Sequence, residues 1–468
     1  MTRKFLPLTL LFSAAIFLAS CLGDSEEITY TDDCAIVSFS ISKANQYVHT
    51  TSSLGLDSVY KKELTGTRYK FYIDHQEGLI YNPDSLPYGT DAKHVLCSIT
   101  TRDNSPAGIK SLTSDSLSYF SSTDSIDFTS DREFWVYSLS GRASRKYTVS
   151  VNVHQEEPDE FKWDLLQRND DLALLDKGMR ALTIGERLFV FGTDGTGTQV
   201  LSTTDGREWK KSAVEFGSEA YMGFVKKGDC LYVIDNGKVM KSADAETWMT
   251  MGQTDMVRLV AATRYALYAY DKDNALYISD DDGGSWTKEA LDDGNDKLPT
   301  IDMTYQTWPL ATNDDMDRVV IIGNRSNDVY PNDTTAVVWG KIDGVGPAAD
   351  KEWSFYSVSS YIKNKVPRLQ NMQTIRYDES ILAVGGKAWG PEYRYPFEKI
   401  YRSSDGGITW PKDTLVSMPD MFHPCEASYA FASDVNNYIW LVSGESGLIY
   451  RGRLNRLGWR KEQTSFTE

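Results

Sequence analysis

Apolar and polar residues alternate along most of the chain between Cys34 and His154. In residues 147–154, one tyrosine and three valines take every second position, and threonine, serine, asparagine and histidine take the positions between them. This period of two is typical of a half-buried β-strand. No helical period stands out, and turn clusters separate the strand-like runs. We therefore predict an antiparallel β-sandwich, immunoglobulin-like in general form, over residues 34–155.

Residues 156–160 form a charged break that contains a proline. Such a segment does not continue a strand pattern, and it separates two regions whose sequences differ in character. We interpret it as a linker between the sandwich and a second domain over residues 161–468.

The second region repeats one turn motif. S-x-D-x-G-x-S/T-W occurs in full at 279–286 and 403–410, and versions one residue shorter occur at 203–209 and 242–248. An aspartate can accept backbone N–H bonds inside a turn, and a tryptophan can cover the hairpin. We therefore predict structural roles, and not acid catalysis, for eight motif residues: Asp205, Trp209, Asp244, Trp248, Asp281, Trp286, Asp405 and Trp410.

These turns resemble Asp-boxes, also called BNR repeats. Together with decayed copies ending at Trp353 and Trp459, they define six units, the shortest of which have the length of a four-stranded blade. The resemblance implies an all-β β-propeller, six-bladed by preference, with seven blades as the alternative. The segment 161–163 looks like the outer strand of a closing or a seventh unit.

Sialidases also carry Asp-boxes, and the resemblance raises a glycan-active hydrolase as one function. Those enzymes use three arginines, a tyrosine paired with a glutamate, and an aspartic acid. The Arg-Ile-Pro motif of that family is absent here, and no spacing joins Arg180, Arg258 and Arg376 into a triad. We therefore assign no catalytic residue and leave the question of enzymatic activity open, with the balance against it.

Two long loops, 323–335 and 385–398, are predicted to lie at the mouth of the propeller. Aromatic side chains beside arginine suit a sugar face or a peptide. The alternative is that these aromatics only pack the loops onto neighbouring blades. The candidate ligand residues are Arg325, Tyr330, Trp389, Tyr393, Arg394 and Tyr395.

The N-terminal segment has the pattern of a targeting signal. Arg3 and Lys4 precede an apolar run over residues 5–19, which ends in Leu-Ala-Ser-Cys at Cys21. This string resembles the lipobox of bacterial lipoproteins. It implies a signal peptide over residues 1–20, a lipidated Cys21 and an anchor in the bacterial outer membrane. The acid-rich residues 21–33 would then be a tether, and they also look like the surface-export signals of some Gram-negative lipoproteins.

Composition narrows the choice of function. There are 49 Lys+Arg against 66 Asp+Glu, a net charge of −17, which disfavours nucleic acid as a partner. Five His and five Cys give little material for a zinc site or a redox enzyme, so we predict no metal and no cofactor. Cys34 and Cys97 could pair in an oxidising envelope, but their spacing does not decide it.

Two segments, 81–90 and 151–163, carry a broader resemblance. They look like parts of an uncharacterised family of envelope lipoproteins that pair a small N-terminal β-domain with a propeller of the kelch or sialidase kind. The resemblance implies an architecture and a location but no catalytic residues. We therefore predict a lipid-anchored, surface-exposed binding protein whose ligand is a glycan first and an envelope protein second.

Overall fold

A computed structural model describes residues 30–51, 56–65, 68–347, 349–357, 364–389, 395–420, 422 and 427–459. The chain divides into two compact units. One runs up to Glu157 and includes Trp459, and the other is Pro158–Gly458. Both are built from β-strands, which confirms the all-β prediction.

The first unit contains two sheets. A three-stranded sheet has the order β2–β1–β5, and a six-stranded sheet has the order β3–β4–β9–β8–β6–β7. The strands are β1 (Ile36–Thr51), β2 (Asp57–Leu64), β3 (Tyr72–Asp74), β4 (Leu79–Tyr81), β5 (Leu96–Thr101), β6 (Ala107–Lys110), β7 (Leu117–Tyr119), β8 (Arg132–Tyr137) and β9 (Ser144–Ser150).

The core of this unit follows the alternation in the sequence. Phe39, Phe134 and Tyr147 are buried in one apolar cluster. The expectation of a purely antiparallel arrangement was too simple, because β4 and β9 pair in parallel. The chain leaves the six-stranded sheet after β4, supplies β5 to the other sheet and returns, and such a crossover permits a parallel pair. Cys34 and Cys97 are both buried, free cysteines.

The second unit holds the remaining strands and two one-turn helices, α1 (Asp170–Ala173) and α2 (Asn455–Gly458). The strands are β10 (Phe161–Leu165), β11 (Gly178–Ile184), β12 (Arg187–Thr193), β13 (Gly197–Thr203), β14 (Lys210–Lys211), β15 (Phe216–Gly217), β16 (Val225–Lys227), β17 (Cys230–Asp235), β18 (Lys238–Ser242), β19 (Met249–Gln253), β20 (Arg258–Ala262), β21 (Leu267–Tyr270), β22 (Leu276–Ser279), β23 (Thr287–Lys288), β24 (Ala290–Leu291), β25 (Ile301–Leu310), β26 (Asn313–Asn324), β27 (Val337–Gly344), β28 (Glu352–Phe355), β29 (Gln373–Tyr377), β30 (Ser380–Val384), β31 (Tyr401–Ser403), β32 (Tyr429–Ser433), β33 (Ile439–Ser443) and β34 (Ile449–Leu454).

Hydrogen bonds join the described strands of this unit into six sheets. Sheet 1 is β11–β12–β13–β14 with β15 beside β13, sheet 2 is β16–β17–β18–β19, sheet 3 is β20–β21–β22–β23, sheet 4 is β25–β26–β27–β28–β24, sheet 5 is β29–β30–β31 and sheet 6 is β32–β33–β34–β10. The innermost strand of each sheet contacts that of the next, from β11 through β16, β20, β25, β29 and β32 back to β11. This closed array is a β-propeller, as predicted.

Sheet 6 closes the ring with strands from both ends of the unit. β10 pairs antiparallel with β34, so that Trp163 lies opposite Gly452. A Cβ atom at Gly452 would come within 2.6 Å of the Phe161 ring, so glycine permits this close approach. Trp163 also donates its indole N–H to the carbonyl oxygen of Ser417 at 2.7 Å. The segment predicted as an outer strand is therefore the outer strand of the closing sheet.

Apolar clusters between neighbouring sheets hold the ring together. In one of them, Val320 and Ile322 of sheet 4 pack with Ile381 of sheet 5 and with Trp410. Trp410 is only 2% exposed, and its indole N–H donates to the carbonyl oxygen of Gly407 at 2.9 Å. Trp410, in the turn after the third strand of sheet 5, thus fills the interface between sheets 4 and 5.

Truncating this tryptophan should destabilise the propeller. We expect Trp410→Ala to lower the free energy of unfolding by about 3–5 kcal/mol, because it leaves a large cavity between two sheets. Val435→Ala is the control, since Val435 is 65% exposed. Urea denaturation measures both, and equal losses for the two variants would contradict the packing role of Trp410.

Candidate functional site

In each of the four motif turns, backbone N–H groups of the turn donate hydrogen bonds to its aspartate. Asp405 accepts hydrogen bonds from the backbone N–H groups of Ile408 and Thr409, at 3.1 and 2.9 Å to Oδ1. Asp281 accepts from the N–H of Ser285 at 2.8 Å, and hydrogen bonds from the Ser285 backbone and hydroxyl are the main cause that holds the pKa of Asp281 at about 2. Asp205 and Asp244 accept equivalent backbone bonds in their turns. Carboxylates engaged in this way are turn-forming groups.

The tryptophans of these turns pack locally. The indole N–H groups of Trp209 and Trp248 donate to carbonyl oxygens three residues earlier, at 3.3 and 3.1 Å, as that of Trp410 does. Trp286 is half-buried and packs against the cluster between sheets 2 and 3. Its indole nitrogen finds no hydrogen-bond partner among the described residues.

Strand direction gives the propeller two distinct ends. In an antiparallel meander, the connection from the first to the second strand and that from the third to the fourth lie at the same end. We call this the turn end, because the motif turns 203–209, 242–248, 279–286 and 403–410 lie there. Connections between second and third strands, and those leading into each inner strand, lie at the opposite, loop end. Residues 323–335 join β26 to β27, and residues 385–398 join β30 to β31, so both belong to the loop end.

Arg325 and Tyr330 bind residues of their own loop. The Arg325 guanidinium forms two 2.8 Å bonds with the Asp333 carboxylate and lies 3.6 Å from the centre of the Tyr330 ring. Arg368, which is 1% exposed, donates to the carbonyl oxygens of Arg325 and Tyr330 at 2.6 and 2.8 Å. These contacts are the packing alternative raised for this loop, and they leave the arginine little capacity for a ligand.

Trp389 is likewise engaged within the protein. Its indole N–H donates to Asp302 Oδ2 at 2.8 Å. The same carboxylate accepts from the Asn324 side chain at 3.0 Å and from the backbone N–H of Asn371 at 2.8 Å. Asp302 therefore links three loop-end segments through hydrogen bonds, and Trp389 is one of the three donors.

Of the remaining predicted ligand-binding and lipidation residues, the structure describes only one. Tyr395 is 64% exposed at the loop end. Tyr393, Arg394 and the lipidation site Cys21 lie outside the described residues.

The loop end also contains an opening that lies away from the two predicted loops. It is a groove of about 690 Å³ between sheets 2 and 3, which we call the loop-end groove. Its walls come from the segments 217–223, 234–237, 254–258 and 270–274. Each segment is short, and sequence reasoning passed over them for that reason. The available signal was that acidic side chains occur in all four segments and asparagines in two of them.

Arg258 and Tyr270 line this groove as cross-strand partners on β20 and β21. Tyr270 is 1% exposed, and its hydroxyl has no hydrogen-bond partner among the described residues. Burial raises the pKa of Tyr270 and lowers the pKa of Arg258. Arg258 donates to the carbonyl oxygen of Thr300 at 3.3 Å. A half-buried cation with a single long hydrogen bond and a buried hydroxyl with none are both costly unless a ligand binds them.

Carboxylates surround this pair. Asp235 and Asp271 accept backbone bonds from Gly217 and Ala275, at 2.9 and 2.8 Å, and so shape their segments. Glu219 and Asp255 are exposed on the groove wall. The groove thus offers several hydrogen-bond acceptors around a cationic floor, an arrangement that suits a ligand with many hydroxyl groups.

The three arginines considered for a sialidase triad do not share a cavity. Arg258 lines the loop-end groove, Arg180 lines a narrow central cavity of about 70 Å³, and Arg376 lines a cavity at the turn end. Tyr221 lies near both Arg180 and Arg258. Burial raises the pKa of Tyr221, and the charges of the two arginines lower it by a smaller amount. Among the described residues, no cluster of three or more His, Cys, Asp or Glu side chains is arranged to hold a metal. No described helix is long and apolar enough to cross a membrane.

Sequence comparison covers both units. Residues 157–462 match the profile described as the DUF6242 beta propeller domain, and residues 39–151 match that of the DUF6242 N-terminal domain, a domain of unknown function. The chain belongs to the DUF6242 family. A search of the curated proteins found no match.

Solved structures similar to this DUF6242 protein are distant in sequence. YCF48 from Cyanidioschyzon merolae is 14% identical, with 62% of this chain and 98% of that chain covered and a TM-score of 0.33. A Trichoderma reesei carbohydrate-active enzyme of family AA12 is 10% identical, with 64% and 96% covered and a TM-score of 0.38. A DUF4784 family protein from Bacteroides caccae is 10% identical, with 72% and 94% covered and a TM-score of 0.33.

One motif turn of the DUF6242 propeller also links two sheets. Asp282, in the turn after β22 of sheet 3, accepts hydrogen bonds from Lys227 and Lys241 of sheet 2 at 2.8 and 3.0 Å. Burial by itself raises the pKa of Asp282. The bonds from the two lysines and from Tyr232 outweigh that effect and bring the pKa to about 2, from an ordinary value of 3.8.

This link should make stability depend on pH. Because the folded pKa lies below the unfolded one, the stabilisation by Asp282 is complete above about pH 4 and is lost as the pH falls through about 2. We expect Asp282→Asn to lower the melting temperature at pH 7, and the gap to wild type to narrow on acidification. Asp280→Asn, in the same turn, is the control. A gap that stays constant from pH 7 to pH 2 would exclude this role for Asp282.

Proposed function

We propose that this chain is a lipid-anchored protein of the bacterial cell envelope that binds glycans through the loop-end groove of its propeller. A β-propeller domain indicates a binding or interaction role. The observation that carries the proposal is the groove between sheets 2 and 3, where the buried Tyr270 hydroxyl, which has no hydrogen-bond partner in the described part of the chain, lies beside Arg258.

The chemistry of the groove favours a sugar. Sugar hydroxyls both donate and accept hydrogen bonds, so carboxylates such as Glu219 and Asp255 can accept from them while Arg258 and Tyr270 donate. A cavity of about 690 Å³ is large enough for more than a single small group. The groove replaces Arg325, Tyr330 and Trp389 as the centre of the proposed site, since those side chains are already engaged by other residues of the protein.

Two other occupants remain as alternatives. An envelope protein partner is the second ligand class, because exposed loops at one end of a propeller can also receive a peptide segment. A glycan-active hydrolase is the alternative of a different class. It is favoured by the presence of Glu219 and Asp255 in one groove, since hydrolysis needs a pair of carboxyl groups.

The strands and turns support three finer features of the architecture. Six sheets whose inner strands close from β32 onto β11 support a six-bladed propeller. The hydrogen bonds inside the motif turns support their interpretation as Asp-boxes. Two stacked groups of strands around one core support the sandwich, for which an immunoglobulin-like form stays a prediction.

The proposed anchor rests on the sequence. Residues 1–20 are a signal peptide, Cys21 carries the lipid, and residues 21–33 are the tether that exposes the protein on the outer membrane surface.

Glycan-array binding tests the groove. Wild-type protein is expected to bind a defined set of glycans, and Arg258→Gln to weaken that binding by about tenfold or more, the effect of losing a hydrogen bond from a charged group. Tyr270→Phe should weaken binding without lowering the melting temperature, since the hydroxyl makes no hydrogen bond to any described residue.

Arg207→Gln is the control, because Arg207 is exposed at the turn end. Absence of any glycan binding, or equal binding by wild type and Arg258→Gln, would argue against the groove. Release of sugar products that depends on Glu219 would instead support the hydrolase.

Cys21→Ser tests the anchor. We expect wild-type protein in a bacterial host to incorporate a labelled fatty acid and to sediment with membranes, and the variant to lose both properties, because lipid on this thiol supplies the membrane affinity. Cys97→Ser should keep both. Unchanged labelling of the Cys21 variant would show that the lipid, if any, is attached elsewhere.

A further inference from the structure

The turn end of the propeller holds a second cavity, which we call the turn-end cavity. It measures about 420 Å³, and its wall comes from five of the six inner strands and from Thr263 and Arg264, which directly follow the sixth, β20. It therefore lies on the propeller axis. Turn residues such as Asp229, between β16 and β17, and Arg264, between β20 and β21, form part of its rim.

Two cations line this cavity without a carboxylate partner. Among the described residues, Lys226 forms no ion pair, and its ammonium group makes no hydrogen bond. Arg376 donates from Nη1 to the backbone carbonyl oxygen of Glu379 at 2.8 Å and stacks 4.6 Å from the Trp308 ring, but it also forms no ion pair in that part of the chain. Burial is the main influence on both and lowers the pKa of each.

The positions of the two cations are complementary. Lys226 belongs to β16 and Arg376 to β29, and two inner strands separate these two in either direction around the ring. The cations therefore face the axis from opposite sides. A ligand on the axis can contact both.

The other charges of the cavity do not neutralise them. Asp317 is 2% exposed and binds Arg264 through its side chain at 2.9 Å, so this pair is internally compensated. Asp229 and Glu379 lie near Lys226 and Arg376 respectively and raise their pKa values, but both acids are exposed and neither forms an ion pair with its cation. In a chain of net charge −17, three cationic side chains face two acidic ones here.

We propose that the turn-end cavity binds a small molecule that carries a carboxylate or phosphate group, held between Lys226 and Arg376. Burying a charge is costly unless an opposite charge compensates it, and neither of these two cations forms an ion pair among the described residues. An oxyanion between them would compensate both. Guanidinium and ammonium groups are the usual protein donors to such groups.

Neighbouring side chains fit the same ligand. The Trp308 ring fixes the plane of the Arg376 guanidinium, which leaves its edge available to an oxyanion. The Thr307 hydroxyl is buried beside the cavity and has no hydrogen-bond partner among the described residues. Thr374 and Gln306 bond to each other, at 2.8 Å to the Thr374 carbonyl, and so present a fixed polar wall.

The turn-end cavity is separate from the loop-end groove proposed to bind glycans. Arg258 and Arg376 line different cavities at opposite ends of the propeller. Loss of one site should therefore leave the other intact.

Calorimetric titration with three matched sugars tests the proposal on the purified full chain. D-Glucuronate carries a carboxylate, D-glucose 6-phosphate carries a phosphate, and D-glucose carries neither. At least one charged sugar is expected to bind about tenfold or more tightly than glucose, a difference of about 1.4 kcal/mol. Added salt should weaken that binding. Preference for one charged sugar identifies which oxyanion the cavity takes.

Variants locate the binding. Lys226→Gln and Arg376→Gln should each weaken binding of the charged sugar by about tenfold or more, while the exposed controls Lys288→Gln and Arg207→Gln should not. Lys226→Gln should not lower the melting temperature, because the Lys226 ammonium makes no ion pair or hydrogen bond among the described residues. Arg376→Gln should lower it only slightly, through loss of the bond to the Glu379 carbonyl oxygen and of the contact with Trp308. Charged sugars that bind no better than glucose, or binding unchanged in both folded cavity variants, would overturn the proposal, whereas unchanged binding in Arg258→Gln supports it.

Discussion

Closure of the ring is the constraint on which the rest of the propeller depends. Each sheet packs its faces against its two neighbours, so an incomplete ring would expose an apolar face and strand edges. β10 completes sheet 6 by pairing with β34, and this joins the start of the unit to its end. The close contact of Phe161 with Gly452 requires a residue without a side chain. Only a closed ring places β32 against β11, and both strands line the turn-end cavity, where an oxyanion is proposed to bind.

The two ends of this ring differ in how far the protein satisfies its own polar groups. At the turn end, Asp281 and Asp405 are saturated by backbone N–H groups, and Asp282 bridges two sheets, so the rim is a set of internally bonded turns. Among the described residues, the groups that lack hydrogen-bond partners include the Lys226 ammonium in the turn-end cavity and the Tyr270 hydroxyl in the loop-end groove. Natural proteins retain such costs at sites where a ligand compensates for them.

Sequence pattern predicted what depends on local geometry. The period of two along residues 147–154 and the turn motif spacing each reflect contacts within one hairpin, so strands, motif turns and propeller followed from them. Trp389 shows the limit, because Asp302, its hydrogen-bond acceptor, is 87 positions away and no pattern connects the two. The arginines show another limit. Inner strands all start at the loop end, so Arg258, first in β20, and Arg376, fourth in β29, line opposite ends, and only the exact strand bounds reveal this.

The narrow central cavity separates the two sites that are proposed to bind ligands. Gln373 donates to the carbonyl oxygens of Met179 and Tyr429 and accepts from the backbone N–H of Phe431 at 3.0 Å. It thereby bonds three inner strands to one another at the waist of the channel. A polar side chain bonded on three sides is fixed in place, since any rearrangement would leave a buried amide without its partners. The waist therefore keeps the cationic cavity and the carboxylate-rich groove in separate environments, each with its own charge.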